Sequence, residues 1–244
     1  MDLHGRTVLL TGGSSGIGLA LAQRFVRAGS RVIVTGRRDA SLAAARAACP
    51  GLETLVNDVG SEVDRARLAS HLRDQKIPID VLINNAGIQN RVDPTRLEAW
   101  AQLSEEIRIN LEGPIHLTSL LLPLLHERAQ AYVVNVSSGL AFVPLAGVPI
   151  YSATKAGIHS FTQSLRHALA PTNVRVIEII PPAVRSNLGG SHDFGVPTEE
   201  YADSVMRGLA EDREEIAYQF SQRASQASRA ELDAMFVEMN ARRS

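Results

Sequence analysis

Short apolar, β-branched runs recur along this chain with room for one helix between each pair, and that alternation constrains the fold more than any other feature. "TVLLTG" (7–12), "RVIVTG" (31–36), "LETLVND" (52–58), "IDVLINNAG" (79–87), "AYVVNVSS" (131–138) and "VRVIEIIPP" (174–182) read as strands. Helical patterns lie between them: Ile17 to Ala28 closed by Gly29, the alanine-rich 40–48, 61–74, a long helix from about Thr95 to Leu125, and a helix around Tyr151. "EIAYQF" (215–220) is expected to add the last strand and 228–242 an extra helix. Strands that are apolar throughout are covered on both faces, so the alternation predicts an α/β fold with a doubly wound parallel sheet. No repeat, low-complexity stretch or linker marks a second unit, and 1–244 reads as one domain.

Composition narrows the function. The formal net charge is −1 with no long block of one sign, which argues against a nucleic-acid or anionic-membrane partner. No apolar stretch is long enough to span a bilayer, and "MDLHGRTVLLTGG" lacks the apolar region and cleavage site of a signal peptide. Cys49 is the one cysteine and the seven histidines are scattered, so neither a disulfide nor a metal site is expected. The expected location is the cytoplasm.

"TGGSSGIG" (11–18) falls between the first strand and the first helix. Glycine at 12, 16 and 18 permits a tight turn, close approach of the backbone to a phosphate, and close helix–strand packing. The helix start then offers free N–H groups and a positive dipole end, which places Gly12, Ser14, Ser15, Gly16, Ile17 and Gly18 against a pyrophosphate. At the end of the second strand an acidic residue would favour NAD. This chain has Arg37 and Arg38 there, in "TGRRD", and a guanidinium pairs a 2′-phosphate through two parallel hydrogen bonds. NADP(H) is therefore favoured over NAD(H), with Ser14 adding a contact to the same phosphate, although Asp39 brings acidity nearby.

Within the long helix, Pro114 follows Asn110 by four residues and lacks the N–H that the Asn110 carbonyl needs. That carbonyl either marks a tolerated kink or anchors a water. Asn85, Ala86 and Gly87 end the fourth strand at the carboxyl edge, where open α/β sheets bind ligands. Tyr151 and Lys155, four residues apart in "PIYSATKAG", share one helix face. By themselves they fit a surface pair as well as an activated phenol.

"TGGSSGIG", "NNAG", Asn110, and Ser138 followed thirteen residues later by "YSATK" together resemble the short-chain dehydrogenase/reductase family in its compact single-domain branch, over about residues 5–190. The resemblance implies a Rossmann-type sheet of about seven strands and a nicotinamide cofactor. It implies a catalytic set of Asn110, Ser138, Tyr151 and Lys155, with Asp58 and Val59 at the adenine and Asn85 to Gly87 along the cofactor. A phenol titrates near about 10. On this reading the Lys155 ammonium and the oxidised nicotinamide lower that value. Tyr151 then donates its proton to a carbonyl oxygen as hydride arrives, Ser138 holds the oxygen, and Lys155 also holds the ribose. In place of the family's Pro-Gly the chain has Pro181 and Pro182, with Val184 still expected at the carboxamide and Ser186 where threonine is usual. The family's Asp-Gly-Gly ending is absent. A homodimer is expected through the Asn110 and Tyr151 helices.

The stretch 139–149 is almost wholly apolar and implies a hydrophobic substrate, while 185–210 is expected to form a substrate loop and lid and 221–244 a helical tail. Arg185 or His192 meets a negative group or is merely solvated. The leading expectation is a carbonyl reductase or alcohol dehydrogenase. Reduction of 3-oxoacyl thioesters on a carrier is the alternative, with Arg91, Arg96 and Arg185 as faint support. A non-catalytic NADP(H)-binding regulator is the third.

Overall fold

A computed structural model describes every residue except 92, 94, 97, 98, 191–193 and 242–244, so His192 lies outside the described residues. Seven strands form one sheet: β1 Thr7–Thr11, β2 Arg31–Gly36, β3 Leu52–Val56, β4 Val81–Asn84, β5 Ala131–Val136, β6 Val174–Ile180 and β7 Glu215–Ala217. Their order is β3-β2-β1-β4-β5-β6-β7, with every neighbouring pair parallel. The order reverses between β1 and β4, which opens a crevice at their carboxyl ends.

Alternation along each strand divides the core between the two faces. Val8, Leu10, Val32, Val34, Val81 and Ile83 join one cluster with Leu21 and Phe25 of helix α1 (Gly16–Arg27), Leu42 of α2 (Asp39–Ala48), and Tyr201, Val205 and Leu209 of α7 (Thr198–Ala210). Leu9, Ile33, Leu82 and Val133 face the other way. They pack on Leu72 of α3 (Glu62–Asp74), Leu117 and Leu121 of α5 (Gly113–His126), and Leu169 of α6 (Pro149–Leu169). Each fully buried side chain of this size contributes about 1.5–3 kcal/mol. This is the Rossmann-type fold that the strand–helix alternation predicts.

Several element bounds differ from expectation for local reasons. The helix expected from Thr95 begins at Trp100, because Asp93 Oδ1 accepts from both the Thr95 N–H (2.9 Å) and the Thr95 hydroxyl (2.7 Å) in a local turn. It is not continuous either. Helix α4 (Trp100–Ile107) passes into a π-helical turn at Arg108–Glu112, where the Gly113 N–H returns to the Arg108 carbonyl, before α5 begins with Pro114 in its first turn. The interruption expected from Pro114 is thus a widened turn around Asn110. The last strand stops at Ala217 instead of residue 220: Gln219 has φ +50° and Phe220 opens α8 (Phe220–Gln226). Helix α9 (Arg229–Ala241) follows, with no buried residue of its own. Of the stretch 185–210 expected to cover substrate, 198–210 is α7, and its Tyr201, Val205 and Leu209 belong to the core.

Candidate active site

The glycine turn and the NNAG segment are stitched to each other. Gly12 has φ +68°, and a Cβ there would lie 2.7 Å from Ala86 Cα, so only glycine allows the two loops to touch. Asn85 Nδ2 donates to the carbonyls of Thr11 (3.0 Å) and Gly12 (3.1 Å), and Thr11 Oγ1 accepts from the Asn85 and Ala86 N–H groups, both at 3.1 Å. Ser15, extended at the start of α1, makes no side-chain cap, so the first-turn amides of α1 keep the donor set that a pyrophosphate needs.

A cleft of about 1800 Å³ runs along these loops. Gly12, Ser14, Ser15, Gly16, Ile17, Gly18, Arg37, Arg38, Asp58, Val59, Asn85, Ala86, Gly87, Ser138, Tyr151, Lys155, Pro181 and Val184 all line it. Asn110 does not; it is buried behind the wall. Pro182 and Ser186, which depart from the family pattern, also line the cleft. Arg37 pairs with Glu105 at 3.0 Å, both side chains near half exposed.

The loop carrying Asp58 and Val59 is fixed by a buried cation. Arg65, only 1% exposed, donates to the Val59 carbonyl (2.7 Å), Glu112 Oε1 (2.5 Å) and His116 Nδ1 (3.0 Å), tying α3 to the π turn and α5. Arg65→Ala leaves that carbonyl and a cavity without partners. The expected cost is about 3 kcal/mol, read from the shift of the urea midpoint.

At the other wall, Pro149 occupies the first turn of α6, and the helix carries Tyr151 and Lys155 on its cleft side, 6% and 4% exposed. Ser138 ends the strand exit, accepts from the Leu140 N–H (3.1 Å), and lies beside the Tyr151 phenol, which it favours in the ionised form. The phenol is not lowered by the chain alone as anticipated. Burial drives its pKa well above the usual tyrosine range, against the pull of Ser138, and the Glu106 carboxylate pushes it the same way as burial. The lysine acts less directly than expected because its Nζ is bound to the Val136 carbonyl at 2.7 Å and lies 5.6 Å from the ring centroid. Burial lowers Lys155 to about 8, with Glu178 and Glu106 opposing. Asn110 contributes through its side chain: Oδ1 accepts from the Ile88 N–H (2.9 Å), and Nδ2 donates to the Ile88 carbonyl (2.8 Å) and Thr154 Oγ1 (3.3 Å).

Sequence reasoning missed three features. Glu106, wholly buried on α4, accepts from the Asn90 N–H at 3.3 Å. His159 holds the buried Glu178 at 2.9 Å and meets the Phe142 ring at a tilt of 60°, 4.6 Å between centroids. Helix α9 brings Met239 onto the cluster of Leu145, Val148 and Tyr151. Its Asn240 accepts from the Ala146 N–H (2.7 Å) and donates to the Pro144 carbonyl (3.1 Å). The Glu at four residues before Asn110 was a readable signal for the first. The other two depend on segments far apart in the chain. Arg185 is engaged with the Gly195 carbonyl at 3.1 Å, and Arg91 lines the cleft.

A Rossmann-type sheet whose crevice joins a glycine turn to a buried Ser, Tyr and Lys defines a nicotinamide-dependent oxidoreductase. The chain belongs to the short-chain dehydrogenase family, whose model matches residues 6–193. It is 40% identical over 248 residues to "Uncharacterized oxidoreductase DltE" of Bacillus subtilis, covering 98% of both chains. It is 35% identical over 178 residues to the NADP-dependent 3-hydroxy acid dehydrogenase YdfG of Salmonella typhi, covering 72% of each. A short chain dehydrogenase from Burkholderia cenocepacia, solved in complex with NADP, superposes with a TM-score of 0.85 at 26% identity, over 97% of this chain and 99% of that one. Among the described residues no helix is long and apolar enough to cross a membrane.

Proposed function

We propose that the chain transfers hydride between NADP(H) and the carbonyl or secondary alcohol of a hydrophobic small molecule, with Tyr151 as general acid and base. The observation that carries this reading is the convergence of Tyr151, its Ser138 partner and Lys155 on one cleft with Ser14, Arg37 and Arg38. The cleft fits a dinucleotide: Gly12 makes room where a side chain would collide with Ala86, and the amides opening α1 carry no side-chain cap. Two similar proteins whose names or structures include NADP support the cofactor choice.

Bound there, the nicotinamide supplies or accepts the hydride. In reduction, Tyr151 donates its phenolic proton to the carbonyl oxygen, and a buried phenol that stays protonated suits an acid. The Ser138 hydroxyl orients that oxygen, and the Lys155 ammonium steadies the phenolate left behind. Because Lys155 titrates near 8, the cation is lost as pH rises through that value, and reduction falls with it. Asn110 positions the Ile88 backbone along the wall. Arg37 exchanges Glu105 for the 2′-phosphate. Leu140, Leu145, Val148, Leu188 and Met239 make the substrate end apolar.

Fluorescence titration with NADPH and NADH, followed by a panel of ketones, aldehydes and 3-oxoacyl thioesters, tests the reading. Binding without turnover of any carbonyl would leave the regulator role instead. Helix α9 makes a sharper forecast. Asn240→Ala frees the Pro144–Ala146 segment and is expected to raise KM for the carbonyl about tenfold, with NADPH affinity unchanged in the same titration.

A further inference from the structure

Glu106 is a carboxylate the fold has no structural need to bury. It is 0% exposed, its Oε1 meets only the Asn90 N–H at 3.3 Å, and Oε2 has no hydrogen-bond partner among the described residues. An ion so placed is costly unless a charge nearby answers it. Helix α4 packs on α6, and α6 supplies that answer in Lys155, with Tyr151 beside it. Among the described residues Lys155 has no carboxylate in hydrogen-bond contact; its Nζ donates to the neutral Val136 carbonyl. The other anion acting on it is Glu178 of β6, which is already bonded to His159 at 2.9 Å.

We propose that Glu106 is a positioning residue of the active site, whose buried charge sustains the ammonium of Lys155 and which, with Asn110, holds the cleft wall at residues 88–90. Geometry carries the wall part, and the packing of α4 on α6 puts the two charged residues on facing helices. Asn110 brackets the N–H and carbonyl of Ile88 while Glu106, four residues earlier, takes the N–H of Asn90. One helical stretch therefore makes three hydrogen bonds to a three-residue wall segment. Gly87, just before it, lets the groups close in: a Cβ there would lie 3.3 Å from Asn110 Oδ1 and 3.8 Å from Lys155 Nζ.

Burial lifts the Glu106 carboxyl to about 7, against the pull of Asn90 and Lys155, so its charge is present above that value, where Lys155 titrates. A folded pKa raised above the unfolded carboxyl value means that the native state binds the extra proton. Stability from this group is thus greatest in acid and falls as pH rises through about 7.

The inference rests on the proposed function only in giving Lys155 a role, and its test reads the lysine without turnover. The chain has two lysines, Lys76 and Lys155, and Lys76 is exposed. Protein labelled with 13C at lysine Cε therefore gives two NMR signals, and a Lys76→Arg variant assigns them. In Glu106→Gln the Lys155 midpoint is expected to fall by about one pH unit, and in Glu106→Asp to stay near native. Thermal melts from pH 5 to pH 8 should show a smaller loss in the Gln variant than in the native protein, since the loss from His159, raised by its Glu178 bond, is common to both. Equal Lys155 midpoints in native and Gln proteins overturn the proposal. Should the Gln variant not fold, the native titration decides: an inflection near 7 in the Lys155 signal supports the coupling, and a single step refutes it.

Discussion

Tyr151→Phe is expected to lower kcat for carbonyl reduction by about a thousandfold, within the 10²–10⁴ range of a lost general acid. The variant removes one oxygen from a ring that stays packed with Leu145 and Val148. Its melting temperature should change little, and NADPH should still bind, because the glycine turn and the α1 amides are untouched. Stopped-flow turnover beside equilibrium titration separates these effects. A variant that keeps a tenth or more of native kcat would remove Tyr151 from the proton transfer. The pH profile adds a check: native reduction should decline as Lys155 loses its proton near 8.

The second large effect is expected at Arg37. Arg37→Ala should weaken NADPH binding about 10–100-fold while leaving NADH within a factor of about two, since only the 2′-phosphate distinguishes the two ligands. Arg37 sits on the cleft at the end of β2 and currently holds Glu105, an exposed partner it can leave at small cost because a surface ion pair contributes little. Equal loss for both cofactors would mean that Arg37 shapes the loop without reading the phosphate. No preference in the native protein would move the choice to NADH.

The sheet was legible because each strand is a local run with its own pattern. "TVLLTG" and "RVIVTG" announce β1 and β2 whatever surrounds them, and their alternating residues do divide between the two core faces. The glycine turn was legible for the same reason, since Gly12 and Gly16 adopt positive φ within one short run between β1 and α1. Errors in element bounds fell where a local turn replaced the continuation that the run suggests. The strand run at 215–220 gives way to a turn at Gln219, and the helix from Thr95 waits until the Asp93 turn is complete. The effect of burial on the phenol was not legible, because burial is a property of the packed site: it raises the Tyr151 pKa in the chain alone, while the Lys155 Nζ is bound to the Val136 carbonyl.

Local order in the chain thus determined the strand–helix alternation, the parallel sheet, the glycine turn and the candidate set Ser138, Tyr151 and Lys155. Tertiary structure alone decided the rest: that Asn110 grips Ile88 by its amide, that Glu106 is buried on a helix packed against the one that carries Lys155, and that Asn240 reaches back to Pro144. Propensity and spacing act within a few residues of chain. Desolvation and long-range hydrogen bonds depend on which segments the folded sheet brings within a few ångströms, and no local pattern encodes that.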